Sequence, residues 1–236
     1  MPQLSGTPLQ LLTPLGACAA EDKQHRFCPL YGPNPNSAGI RDITRGVAHN
    51  YIDGINDKPL SPKYESGGGG LVSSMADYYA FANMLLNGGV HPPTGHRVLS
   101  RKTLQYMTVN HLPNAVDMSA ISSPQYSEIA AEGVGFGLGF SVILDPAKQG
   151  QVGSVGNFAW GGAASTYFWV DPEEQVVVVW MTQLMGNRSQ SKASKYHKLG
   201  VPVRPVVAQL LYAAVVDGPM ASAQRPPMIP PPAARL

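Results

Sequence analysis

The strongest constraint on this chain is the run from Phe158 to Met181. Trp160-Gly161-Gly162 leads through Ala163-Ala164-Ser165-Thr166 into Tyr167-Phe168-Trp169-Val170. Asp171-Pro172-Glu173-Glu174 follows, then Val176-Val177-Val178-Val179-Trp180-Met181. Both runs are dense in β-branched and aromatic residues and lack charge, so they read as neighbouring strands of a well-buried sheet. Asp-Pro-Glu-Glu between them has the chemistry of a hairpin turn, and the glycine pair lets another group approach the first strand closely.

The flanking sequence extends this sheet. Phe136–Leu144 reads as one further strand and Val152–Gly156 as another, with Asp145–Gly150 as the turn between them. A helix is predicted after Ser74, whose hydroxyl can cap it while Asp77 stands three residues on. Its stripe is Met75, Tyr78, Tyr79, Ala82, Leu85 and Leu86, and Asn87-Gly88-Gly89 stops it. A second helix begins after Ser100 and carries Leu104 and Met107. The last runs over 203–216 and packs Val207, Leu210, Leu211 and Ala214 on the sheet. A short helix is expected near 41–48, within a Pro- and Gly-punctuated region over residues 1–60, and a long loop over 113–134. The fold class is α+β: an antiparallel sheet with flanking helices. Residues 1–216 form the domain portion, and the Pro-rich stretch 217–236 is a tail expected to be disordered or extended.

Net charge is +2, from 17 basic and 15 acidic residues among 236, which gives no electrostatic case for nucleic acid. Charged residues make up 14%, against about a quarter in an average chain, while Gly (25) and Pro (22) are abundant, so long loops or poorly ordered ends are expected. No run approaches the roughly 18 apolar residues of a membrane span. Residues 1–20 lack a basic start, and Pro14 interrupts their apolar run, so they do not read as a secretory signal. Cys18 and Cys28 are read as free thiols.

Other motifs carry little chemistry. Ser189-Gln190-Ser191-Lys192 has the spacing that places a serine and a lysine one helical turn apart, but the surroundings are polar and basic, as in a solvated loop. His25, His49, His91, His96, His111 and His197 are scattered and lack metal-ligand spacing. The runs Gly67–Gly70 and Gly88-Gly89 lack the lysine and hydroxyl residue of a phosphate loop, so no cofactor or metal is expected.

Taken in order, three segments resemble the serine β-lactamase and penicillin-binding-protein superfamily, and most of all its esterase-like branch related to class C enzymes. Trp160-Gly161-Gly162 resembles the strand that carries Lys-Thr-Gly in many β-lactamases and Trp-Gly-Gly or His-Gly-Gly in the esterase-like members. Ser66-Gly67-Gly68-Gly69-Gly70-Leu71 with the helix that follows is similar to the family's glycine-rich loop, and Pro14-Leu15-Gly16 to the segment beyond its catalytic tyrosine. The likeness covers roughly residues 10 to 215.

The resemblance implies a serine that attacks an ester or amide, an acyl-enzyme, and backbone amides that hold the developing oxyanion. It assigns one such amide near Ala163. It makes Trp160, Gly161 and Gly162 a substrate-binding wall and edge, and Gly68 and Gly69 the cleft floor. Trp160 where others have a cation points to neutral esters or apolar acyl groups. The family's Ser-x-x-Lys helix and tyrosine element precede Pro14 in its members and are not found among residues 1–13. The chain is therefore expected to be the C-terminal portion of such an enzyme, inactive alone, with an upstream fragment of the same domain as a possible partner. The alternatives are a non-catalytic remnant used for binding and a scaffold working through its Pro-rich tail. A nucleotide-binding protein fits worst, for want of the strand-glycine-helix order.

Overall fold

The computed structural model describes residues 28–34, 36, 39–43, 71–121, 132–162, 164–185 and 203–215, together with the backbone pairing of 13–14. Two short pairings lie at its start. Strand β1 (Thr13–Pro14) runs antiparallel to β4 (Leu71–Val72), and β2 (Tyr31–Pro33) to β3 (Ile40–Asp42). Helix α1 (Met75–Leu86) begins at Ser74, whose Oγ accepts from the Asp77 N–H. A small ribbon of β5 (Val90–His91) and β6 (His96–Arg97) follows, and then α2 (Arg101–Met107), capped by Ser100 through the Thr103 N–H.

The centre is a five-stranded antiparallel sheet. It contains β7 (Val134–Phe136), β8 (Ser141–Ile143), β9 (Phe158–Gly161), β10 (Tyr167–Asp171) and β11 (Val176–Trp180), in the order β11-β10-β9-β8-β7. A single-turn helix, α3 (Pro146–Gln149), leaves β8, and α4 (Val203–Ala214) closes the described chain. Each strand is followed in sequence by its spatial neighbour, so the sheet is a meander, with α3 inside the longer β8–β9 connection.

The two faces carry different cores. On one, Phe140, Val142, Phe158, Phe168 and Val170 meet Ala82, Met84 and Leu85 of α1 and Leu104 of α2. The rings of Tyr78, Phe81 and Phe168 contact edge to face, with Tyr78 and Phe168 centroids 5.2 Å apart, an arrangement worth about 0.5–1.5 kcal/mol per pair beyond burial. On the other face Ala159 and Trp169 take Ala208 of α4, with Val207, Leu211 and Tyr212 packed around them. The sheet is thus a middle layer between helices, as α+β layering predicts.

Several expectations are corrected. The run 136–144 is not one strand: it turns back at Gly137–Phe140, where Gly139 has φ 98°, and splits into β7 and β8. Residues 152–156 form no strand, because Gly153 and Gly156 adopt φ of 147° and 86° and the chain turns there. Asp145–Gly150 is more than a turn, since Asp145 Oδ1 caps α3 by accepting from the Ala147 and Lys148 N–H groups. In α1, Met75 and Tyr79 are exposed and Met84 takes the buried place. In α4, Leu210 is 68% exposed, Ala214 is exposed, and Ala208 is the buried residue. The expected helix near 41–48 starts instead as β3, and residues 44–48 lie outside the described residues.

Candidate active-site edge

The neighbours of β9 do not end together. Strand β10 pairs with it as far as Gly161, opposite Tyr167, whereas β8 pairs only with Phe158 and Ala159 and stops at Ser141. Trp160 and Gly161 therefore run on past β8. The Gly162 N–H donates to the Thr166 carbonyl at 2.8 Å, toward β10. Backbone groups alternate sides along a strand, so the N–H and C=O of Gly161 point the other way, over the end of β8. That edge is unpaired among the described residues.

The loop that follows is held firmly. Ser165 sits at φ 68°, a left-handed conformation that is unusual outside glycine, and its Oγ donates to the Leu184 carbonyl at 2.9 Å. The Ser165 N–H donates to the Gly162 carbonyl. Ala164 O accepts from both the Leu184 N–H and Thr182 Oγ1, and Thr166 Oγ1 donates to Thr182 O. Residues 182–184 thus brace the loop, fixing the backbone on both sides of Ala163, which itself lies outside the described residues.

The faces around Gly161 are unequal. A Cβ there would meet Tyr167 Cδ2 at 3.0 Å, Arg204 Nη2 at 3.2 Å and Thr166 O at 3.2 Å, so glycine is what admits this packing. The Arg204 guanidinium stacks on the Tyr167 ring, 4.3 Å from its centroid. Burial pushes the Tyr167 phenol above its ordinary pKa and the arginine charge works against that rise. A Cβ on Gly162 would meet nothing within 4 Å among the described residues. Trp160 is 38% exposed and meets Phe136 edge to face at 4.9 Å, so it forms an apolar wall at the end of the sheet. The structure brings Trp160, Gly161 and Gly162 together at this edge. Gly68 and Gly69, and with them their approach to Trp160, lie outside the described residues, as do Ser189 and Lys192.

Several of the described serines hold the fold through their hydroxyls. Ser141 Oγ donates to Ala159 O and Ser165 Oγ to Leu184 O, while Ser74 and Ser100 cap helices. His91 Nδ1 contacts Thr94 Oγ1, and His111 Nε2 contacts Tyr106 O. Among the described residues no group of three His, Cys, Asp or Glu side chains is arranged to hold a metal, and no helix is long and apolar enough to cross a membrane.

The far end of the same strands holds a network that the sequence did not reveal. Asp171, read as a turn residue, is the last residue of β10 and is fully buried. Its Oδ2 accepts from Tyr212 Oη at 2.7 Å and from the Ser154 N–H, and its Oδ1 from the Glu173 and Glu174 N–H groups. Asn157 Nδ2 donates to Tyr212 Oη at 3.0 Å. Burial, then Asp171, hold the Tyr212 phenol well above its usual pKa. Trp169 and Asn157 oppose that rise, although the Trp169 indole N–H lacks hydrogen-bond geometry to any partner in the described residues.

Comparison with known proteins now settles the family. The Beta-lactamase family model matches residues 15–201, well over half of the chain. The chain belongs to the Beta-lactamase family. Two curated relatives from Mycobacterium tuberculosis strains, Protein Rv1367c and the uncharacterized protein MT1414, are each 34% identical over 176 residues. Those residues are 73% of this chain but only 40% of either relative, so the chain spans about two-fifths of their length. Among solved structures, the simvastatin synthase LovD from Aspergillus terreus superposes with a TM-score of 0.53 at 18% identity, over 70% of this chain and 39% of that one. EstCE1, described as a hydrolase with promiscuous acyltransferase activity, gives 0.50 at 21% identity, over 70% and 40%. These structural likenesses establish a partial α+β β-lactamase fold.

Proposed function

We propose that this chain is the sheet-bearing, C-terminal part of a serine hydrolase that acts on ester or amide bonds through an acyl-enzyme. The observation that carries the reading is the free backbone edge at Gly161, beside the open space over Gly162 and the Trp160 wall. An acyl group laid along that edge would accept hydrogen bonds as a further strand does. The amide at Ala163 would stabilise the oxyanion as charge develops, and the bonds that hold Gly162 and residues 164–166 next to it support that role. Trp160 offers an apolar surface to the acyl chain. EstCE1's description as a hydrolase with acyltransferase activity agrees with this class.

The nucleophile, its lysine and the tyrosine would come from an upstream segment of the same domain. Without them an oxyanion donor has no tetrahedral intermediate to hold, and this chain alone performs no acyl transfer. The test is intact-mass measurement of the purified, cooperatively melting chain after a fluorophosphonate probe and after an aryl ester. No adduct is expected. Stoichiometric labelling that is lost in Ser189→Ala, or in alanine replacement of another serine, overturns the proposal.

A further inference from the structure

The β5–β6 ribbon and helix α2 carry charge of one sign only. From Tyr78 to Val116 the sequence contains no aspartate or glutamate, while Arg97, Arg101 and Lys102 stand close together. All three are exposed. Arg97 is held in place, since its Nη1 donates to the Gly88 and Leu99 carbonyls. Arg101 and Lys102 have no ion-pair partner among the described residues. They also fill the first turn of α2, where the free N–H groups favour acidic side chains. Fold stability therefore gives no reason for these two cations.

Apolar tips stand among the cations. Leu104 is the buried residue of α2, and Lys102 and Tyr106 lie one turn apart on the opposite side of the helix. Tyr106 is 63% exposed, and its ring meets the His111 ring edge to face, with centroids 4.5 Å apart. Val98 is exposed next to Arg97. Leu138, also exposed, is pinned at the end of the same helix by its N–H, which donates to the Met107 carbonyl at 2.9 Å.

We propose that this face docks on an anionic lipid surface. The three cations are drawn to negative headgroups. Lys102 and Tyr106 each join an apolar body to a polar tip, the form that suits a boundary between lipid and water. Cations alone would fit an acidic protein or a nucleic acid as well. Exposed Val98, Tyr106 and Leu138 between them favour lipid, which accepts apolar tips without a matched shape. Phe136, two residues before Leu138, meets Trp160, so docking holds the candidate edge near the lipid. The docking itself does not depend on the hydrolase reading.

The experiment is co-sedimentation of the full chain with vesicles of phosphatidylglycerol and phosphatidylcholine in equal parts, and with vesicles of phosphatidylcholine alone. Binding to the anionic vesicles should be tighter by about tenfold or more, and should weaken as salt is raised. Arg101→Gln combined with Lys102→Gln should lower it by about tenfold, and Tyr106→Ser by about threefold with the salt dependence kept. Each of these side chains is exposed, so the melts should stay cooperative. Lys148→Gln, an exposed cation on α3, should leave binding as it was. Equal binding to both vesicles, or none to either, overturns the proposal. So does a double variant that binds like the parent, which would shift the contact to the cations of residues 188–198. Polyglutamate or duplex DNA that binds more tightly than the anionic vesicles, with Tyr106→Ser without effect on the vesicles, would give the face to an acidic macromolecule and overturn it too.

Discussion

The β9–β10 pair has two unlike ends. At one, Asp171 collects four donors, and by accepting from both Tyr212 and the Ser154 N–H it ties α4 to the turn at Ser154. At the other, Trp160, Gly161 and Gly162 leave backbone and space exposed, and only the loop beyond them is braced. The difference separates stability from function along the same two strands. Buried polar groups are acceptable when every one is satisfied, and a free edge is acceptable when the structure around it is fixed.

The largest expected effect is at the closed end. Asp171→Ala leaves several buried donors without an acceptor and should cost roughly 3–5 kcal/mol in denaturant unfolding. A loss within the range of surface substitutions would break the comparison. Tyr212→Phe removes one donor and one acceptor and should cost about 1–2 kcal/mol. It also carries a pH signature. The Tyr212 phenol is raised in the folded state, so its neutral form stabilises the fold below the unfolded value near 10 and that contribution is lost as pH climbs from there toward the raised value. The alkaline decline should therefore be shallower in Tyr212→Phe than in the parent, and equal slopes would count against the network.

Substitutions at the open end sharpen the contrast. Gly161→Ala forces Tyr167 or Arg204 aside and crowds Thr166 O, and should destabilise by about 1–2 kcal/mol. Gly162→Ala meets no described residue within 4 Å and should change stability by less than about 0.5 kcal/mol, measured by the same melts. Equal costs at the two glycines would mean that they do not divide into a packed and an open position.

How far the sequence reached follows the same division. Strand composition located β10 and β11, and serine caps located the starts of α1 and α2, because these signals are local. Hydrophobic runs could not show the reversal at Gly137–Phe140, since a turn made of Gly, Leu and Phe looks like strand until φ at Gly139 is known. Periodicity likewise found α4 without telling that Ala208, not Leu210, faces the sheet, for both lie on apolar stripes. Asp171 was read as a turn former, and its partners Tyr212 and Ser154 lie 41 and 17 residues away, beyond any local pattern. The Trp160-Gly161-Gly162 edge was legible as a motif. Its openness was not, because it depends on where β8 stops.

That openness is the central claim, and the amide of Gly161 tests it most directly. In residue-resolved hydrogen exchange under native conditions, Gly162, bonded to Thr166, should be protected, while Gly161 beside it should exchange at close to the rate of an unstructured backbone. Protection of Gly161 equal to that of Gly162 would mean the edge is already paired, and it would remove the surface on which the proposed acyl group lies.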